Sequence, residues 1–170
     1  MALDPSALIS GMTSAMAAGF VPPPANAPFQ TIAAAMANAY HSYASAAQAC
    51  NGSGPSGQNL TGLIDGLTDA LDISGGPKTP AVAGEAWADS CATYWSGAVF
   101  GGGAITLALD AAGLKAALEA LFNTNPPPPG ITLFPAFING FAGALDSYTK
   151  LIEVTDPSVP PPSGCAGPIM

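Results

Sequence analysis

Leu8-Ile9-Ser10-Gly11-Met12-Thr13-Ser14-Ala15-Met16 and Leu63-Ile64-Asp65-Gly66-Leu67-Thr68-Asp69-Ala70-Leu71 are two statements of one pattern, 55 residues apart. A degenerate third follows at Leu114-Lys115-Ala116-Ala117-Leu118-Glu119-Ala120-Leu121-Phe122. In each copy an apolar residue returns every four positions: Leu8, Met12, Met16; Leu63, Leu67, Leu71; Leu114, Leu118, Phe122. That spacing lays one apolar stripe along a short helix. Four residues ahead of each leading leucine stands Asp4, Asn59 or Asp110. Each of these side chains accepts from the free N–H groups of a first helical turn, so each reads as an N-cap. Pro5 directly after Asp4 suits the first helical position.

Each stripe runs into breaker-rich sequence: Gly19 and Pro22-Pro23-Pro24, then Gly75-Gly76-Pro77, then Pro126 to Pro129 and Gly130. Proline runs favour a stiff, extended linker. Beyond each break the spacing predicts a second helix, over about 28–48, 79–99 and 133–153. Tyr40 and Tyr43 there correspond to Cys91 and Tyr94, then to Leu145 and Tyr148. Alanine faces such as Ala33-Ala37-Ala44 let helices approach closely. The offset between copies drops from 55 at the first helix to 51 at the second, so the middle loop is shorter.

The expected fold is therefore mainly α: three tandem helix pairs (about 3–55, 58–106 and 109–155) packed as one bundle-like domain over 1–155. A repeated unit of this kind hides its apolar face by stacking on its neighbours. Residues 98–107 read as a short strand or a glycine-hinged connector. Residues 156–170, rich in Pro and Gly and without periodicity, read as an extended arm ordered by lying along a neighbouring subunit.

Composition narrows the functional classes. Hydrophobic residues make up 49% of the 170 and charged residues 8%, where about 25% charged is usual. From Pro5 to Ile64 there is no Asp, Glu, Lys or Arg. A surface so short of charge points to cover by neighbouring subunits. Eleven carboxylates against three lysines and no arginine give a net charge of −8. Direct nucleic-acid recognition, which leans on Lys and Arg, is not expected, nor is attraction to anionic lipid. Phe29–Ala49 is long and uncharged, but Gln30, Asn38, His41 and Ser45 spread around it, which argues against a membrane span. The opening Met1-Ala2-Leu3-Asp4-Pro5 has no basic stretch of the secretory type.

Candidate chemistry is sparse. His41 is the one histidine and has no carboxylate or cysteine beside it, so it reads as a surface or interface imidazole. Cys50, Cys91 and Cys165 lack metal spacing; Cys91 reads as a buried thiol, and Cys50 and Cys165 as a candidate disulfide. Asp65, Asp69 and Asp72 share one helix face opposite the leucine stripe, where a solvated face belongs. Asn51-Gly52-Ser53 and Asn59-Leu60-Thr61 fit the glycosylation pattern without a secretory signal. Gly101-Gly102-Gly103 lacks the residues of a phosphate loop. No catalytic residue, cofactor site or metal site is expected, and an enzyme would need more convergent polar groups than one His and no Arg supply.

The Ala/Gly/Pro-rich copies, the opening Ala2-Leu3-Asp4-Pro5-Ser6-Ala7-Leu8 and the close Cys165-Ala166-Gly167-Pro168-Ile169 resemble small helical virion proteins. These are encoded among the neck and tail genes of bacteriophages with contractile tails. The resemblance covers most of the chain through texture and repeat phrasing. It implies a non-enzymatic structural subunit placed in a ring or connector layer at the neck, tail or baseplate. Its implied partners are copies of itself and other head–tail or tail proteins, in a virion assembled in the host cytoplasm. The sequence leaves a second class open: a secreted or membrane-associated surface or adaptor protein, binding through its uncharged first third and its proline loops.

Overall fold

The computed structural model describes residues 3–20, 29–49, 52–72, 74–76, 78–101, 103–104, 110–124, 134–155 and 166–169. It is mainly helical. In chain order run α1 (Pro5–Phe20), α2 (Phe29–Ala44), α3 (Leu60–Leu71), α4 (Pro80–Trp95), α5 (Ala111–Thr124) and α6 (Phe134–Lys150). Each helix packs on the next, and α6 packs back on α1, so the helices form a closed circuit.

The helix starts are made locally. Asp4 Oδ1 accepts from the Ser6 N–H at 2.9 Å, Asn59 Oδ1 from Gly62 at 2.8 Å and Asp110 Oδ1 from Gly113 at 2.7 Å. Thr79 caps α4, with Pro80 in the first turn. The predicted stripes face inward: Leu8, Met12, Met16, Leu63, Leu67, Leu114, Leu118 and Phe122 are all buried, and Leu71 is half-buried. Asp65, Asp69 and Asp72 lie exposed on the opposite face of α3, as a solvated face should.

The second helices end about four residues earlier than the sequence suggests. After α2, α4 and α6 the same turn recurs: Ala47, Ala98 and Ile152 donate to the carbonyls of Ala44, Trp95 and Thr149, at 3.1, 3.0 and 3.1 Å. All three turn residues are buried. The chain then enters a small sheet whose strands are β1 (Pro55–Ser56), β2 (Val99–Phe100), β3 (Gly103–Ala104), β4 (Glu153–Thr155) and β5 (Ala166–Pro168). Strand order follows the chain, and every neighbouring pair is antiparallel. The connector at 98–107 is thus a hairpin where it is described, with Gly101 at φ +60° in its tight turn.

The expectation of an arm lying on a neighbour is corrected at its far end. Ala166–Pro168 pairs with Glu153–Thr155 of the same chain, and the Ile169 N–H donates to the Ile152 carbonyl at 3.0 Å. Ile169 is buried. The free edge of β4 offers unpaired backbone groups close by, and Ile169 gains an apolar seat there. Residues 156–165, the proline runs Pro22–Pro24 and Pro126–Pro129, Cys50 and Cys165 lie outside the described residues.

Candidate functional site

The second helices carry the aromatic residues to the middle of the circuit. Tyr40 meets Tyr94 edge-on at 5.4 Å, Tyr94 meets Trp95 at 5.1 Å, and Trp95 stacks on Phe100 of β2 at 6.2 Å. Lower along the helices, Trp87 meets Phe141 edge-on at 4.6 Å. Such geometries suit the ring quadrupoles and bury large apolar areas.

Through this centre runs a directed chain of hydrogen bonds. The indole N–H of Trp95 donates to the Tyr40 hydroxyl at 3.0 Å. Thr149 spends its own proton on the Leu145 carbonyl at 2.8 Å, so the Tyr40 hydroxyl donates to Thr149 Oγ1, also at 2.8 Å. Tyr40 therefore links α4 to α6 through α2 with every group satisfied, as a buried polar group requires.

Two further tyrosines tie helices together. Tyr43 of α2 donates to Asp146 Oδ1 of α6 at 2.5 Å, and Lys150 holds the other carboxylate oxygen at 2.8 Å. Tyr94 of α4 lies 2.8 Å from His41 Nδ1 of α2. His41, read from sequence as a surface or interface imidazole, is thus half-buried at the contact between α2 and α4. Tyr148 differs: its hydroxyl is buried and has no hydrogen-bond partner among the described residues.

Burial makes the thiol and phenols of this region hold their protons. Burial pushes the Cys91 thiol up to about 12, so it stays protonated near neutral pH and is a poor nucleophile. Burial likewise raises Tyr40, Tyr43, Tyr94 and Tyr148, and for Tyr43 the bond to the Asp146 carboxylate adds to the rise. Among the described residues no group of three or more His, Cys, Asp or Glu is placed to hold a metal ion. Among them, too, no helix is long and apolar enough to cross a membrane.

A groove of about 520 Å³ lies between α5 and α6. Its walls combine small residues, such as Ala117 and Ala120 on α5 and Gly143 and Ala144 on α6, with larger ones, among them Leu121 and Tyr148. The other two pairs differ at this place. A Cβ on Gly11 would sit 2.8 Å from the Ala39 Cβ, and one on Gly66 would overlap the Ser90 side chain. Glycine at those places brings α1 against α2 and α3 against α4. Ala117 holds the corresponding place in α5 and borders the groove with Ala144, while the close approach of this pair falls at Gly140, where a Cβ would sit 2.7 Å from Leu121 Cδ1.

Sequence reasoning had singled out Tyr43, Tyr94 and Tyr148 by position but missed their partners, His41 for one and Asp146 for another. The signal was present: His41 and Asp146 each lie two residues before the tyrosine of their own helix. No family model, curated protein or solved structure matches the chain.

Proposed function

We propose that this chain is a non-enzymatic structural subunit of a phage virion, built of three copies of one helix-pair unit. Three observations support the threefold reading: the shared caps at Asp4, Asn59 and Asp110, the recurring turn after each second helix, and the tyrosine ties between pairs. The observation that carries the functional reading is the outer face of α1 and α2. These two helices fall within the charge-free run from Pro5 to Ile64. They expose Ser10, Thr13, Ser14, Thr31, Asn38 and Ser42 to solvent.

That face is suited to being covered. Thr13 and Ser14 donate to the carbonyls of Ile9 and Ser10 at 2.7 and 3.0 Å, and Asn38 to Ala34 at 2.8 Å. With these donors already engaged, burial leaves few polar groups unpaired and no charge to desolvate. The apolar area removed contributes about 25 cal/mol per Å². A copy of a chain with net charge −8 meets least repulsion there. The partners of this reading are copies of the chain in a ring and other neck, tail or baseplate proteins, with no substrate turned over.

The deciding experiment is quantitative mass spectrometry of purified virions from a culture carrying the gene. A fixed copy number per particle, retained through washing in high salt, is the expected result. Particles that lack the chain while the cell lysate contains it would refute the reading and favour the surface or adaptor class.

A further inference from the structure

A ring of identical copies needs two unlike faces on each chain, one to insert and one to receive. The outer side of α1 has the form of the first. Ser6, Ser10 and Ser14 return there every four residues and are all exposed, which makes a narrow ridge of short side chains. The ridge is polar in composition but largely satisfied within its own helix. Ser6 Oγ donates to Asp4 Oδ1 at 2.6 Å, and Ser14 Oγ to the Ser10 carbonyl at 3.0 Å. Those donors stay paired when an apolar wall covers them.

The same chain carries such a wall in the groove between α5 and α6. Ala117, Ala120, Gly140 and Gly143 are exposed along it. Among the described residues that line it, Asp110 is the one charged group, and it is engaged as the cap of α5. The lysines on these two helices are neutralised within the chain, Lys115 by Glu85 at 3.1 Å and Lys150 by Asp146 at 2.8 Å. Leu151, 54% exposed, also lines the groove, so covering it takes a large apolar side chain out of water. The outer side of α3 and α4 is different, with Asp65, Asp69, Asp72 and Asp89 all exposed. On a chain of net charge −8, two copies therefore meet with least repulsion where α1 faces the α5–α6 groove.

We propose that the α1 ridge of one copy seats in the α5–α6 groove of the next, head to tail. The proposal rests on the reading of the chain as a ring subunit and names the surface that covers its uncharged face. Ridge and groove are neighbours on one chain, because α1 packs on α6. Successive copies are thus turned relative to one another, which favours a closed ring over a straight filament.

Sedimentation velocity of the full chain and two charge variants tests it. Ser10→Glu spoils the ridge and Ala117→Glu the groove. Both positions are exposed, so circular dichroism should show each variant folded like the parent. The parent should assemble with a dissociation constant below about 100 μM. Each variant alone should self-associate at least about tenfold more weakly, since it buries an unpaired charge. Mixed, they should form a two-chain species and nothing larger, because one keeps its groove and the other its ridge. A parent still monomeric at about 1 mM, a variant that assembles as the parent does, or a mixture that stays monomeric would each overturn the proposal. A contact of α1 with α1 would leave Ala117→Glu assembling by itself, and so overturns it too. Assembly of the purified chain, with virions that lack it, would refute the virion reading and leave the contact standing.

Discussion

The α3–α4 pair and the α5–α6 pair start from matching sequence and close at different points. In the first, Gly66 lies so close to Ser90 that there is no room for a methyl group. In the second, Ala117 and Ala144 hold the same places and border an open groove. The α5–α6 pair makes its close approach elsewhere, at Gly140, where a Cβ would sit 2.7 Å from Leu121 Cδ1, and dense packing is reached there instead. Closure of a pair is thus set at one crossing point rather than by the whole apolar stripe, which both pairs possess.

The largest effect expected is in alkali. Cys91 and the four tyrosines have folded-state values raised above their unfolded ones, so the folded chain holds more protons in that range. Their contribution to stability is complete below the unfolded values, about 8.5 for Cys and 10 for Tyr, and is lost progressively as pH rises from these toward the raised folded values. Absorbance and circular dichroism followed together should show phenolate appearing with unfolding. Tyr148 ionising first, with the helix signal intact, would show that the groove reaches its hydroxyl and would break the contrast between the pairs.

Next in size is Leu67→Ala, which should cost about 2–5 kcal/mol in denaturant unfolding because its site is fully enclosed. The half-buried Leu121, on the groove wall, should cost about 1 kcal/mol or less by the same change. Equal losses would mean that the groove closes in solution. Gly66→Ala should then cost about 1–3 kcal/mol by forcing α3 off α4. Smallest is Ala117→Leu, whose side chain has the groove to enter and should shift stability by no more than about 0.5 kcal/mol. A Tm drop matching that of Gly66→Ala would sink the account of the crossing point.

How much of this was legible follows from range. The caps at Asp4, Asn59 and Asp110 and the stripes from Leu8 to Phe122 depend on neighbours within one or two helical turns, and sequence spacing carries them. The exposed Asp65–Asp69–Asp72 face followed in the same way. The sheet was hidden because strands of two or three residues have no period to read. The return of Ala166–Ile169 to β4 was hidden because its partner sits ten or more residues back in the chain, across sequence without pattern. The ties of Tyr43 to Asp146 and Tyr94 to His41 join residues 103 and 53 positions apart. Only the arrangement of pairs around the circuit brings those together.

Closing the circuit also fixes the order in which the chain becomes a protein. The wall that α1 needs on its open side is α6, beginning at Phe134, so the two meet only after the intervening helices have been made. During synthesis Leu8, Met12 and Met16 are covered by α2 alone, and the emerging chain carries an unfinished apolar flank at the ribosome. The same uncharged sequence that suits a covered face gives that nascent flank no charge to keep other nascent chains away. Chaperone demand during translation should therefore peak before residue 150 leaves the exit tunnel, and fall once the last helix docks on the first.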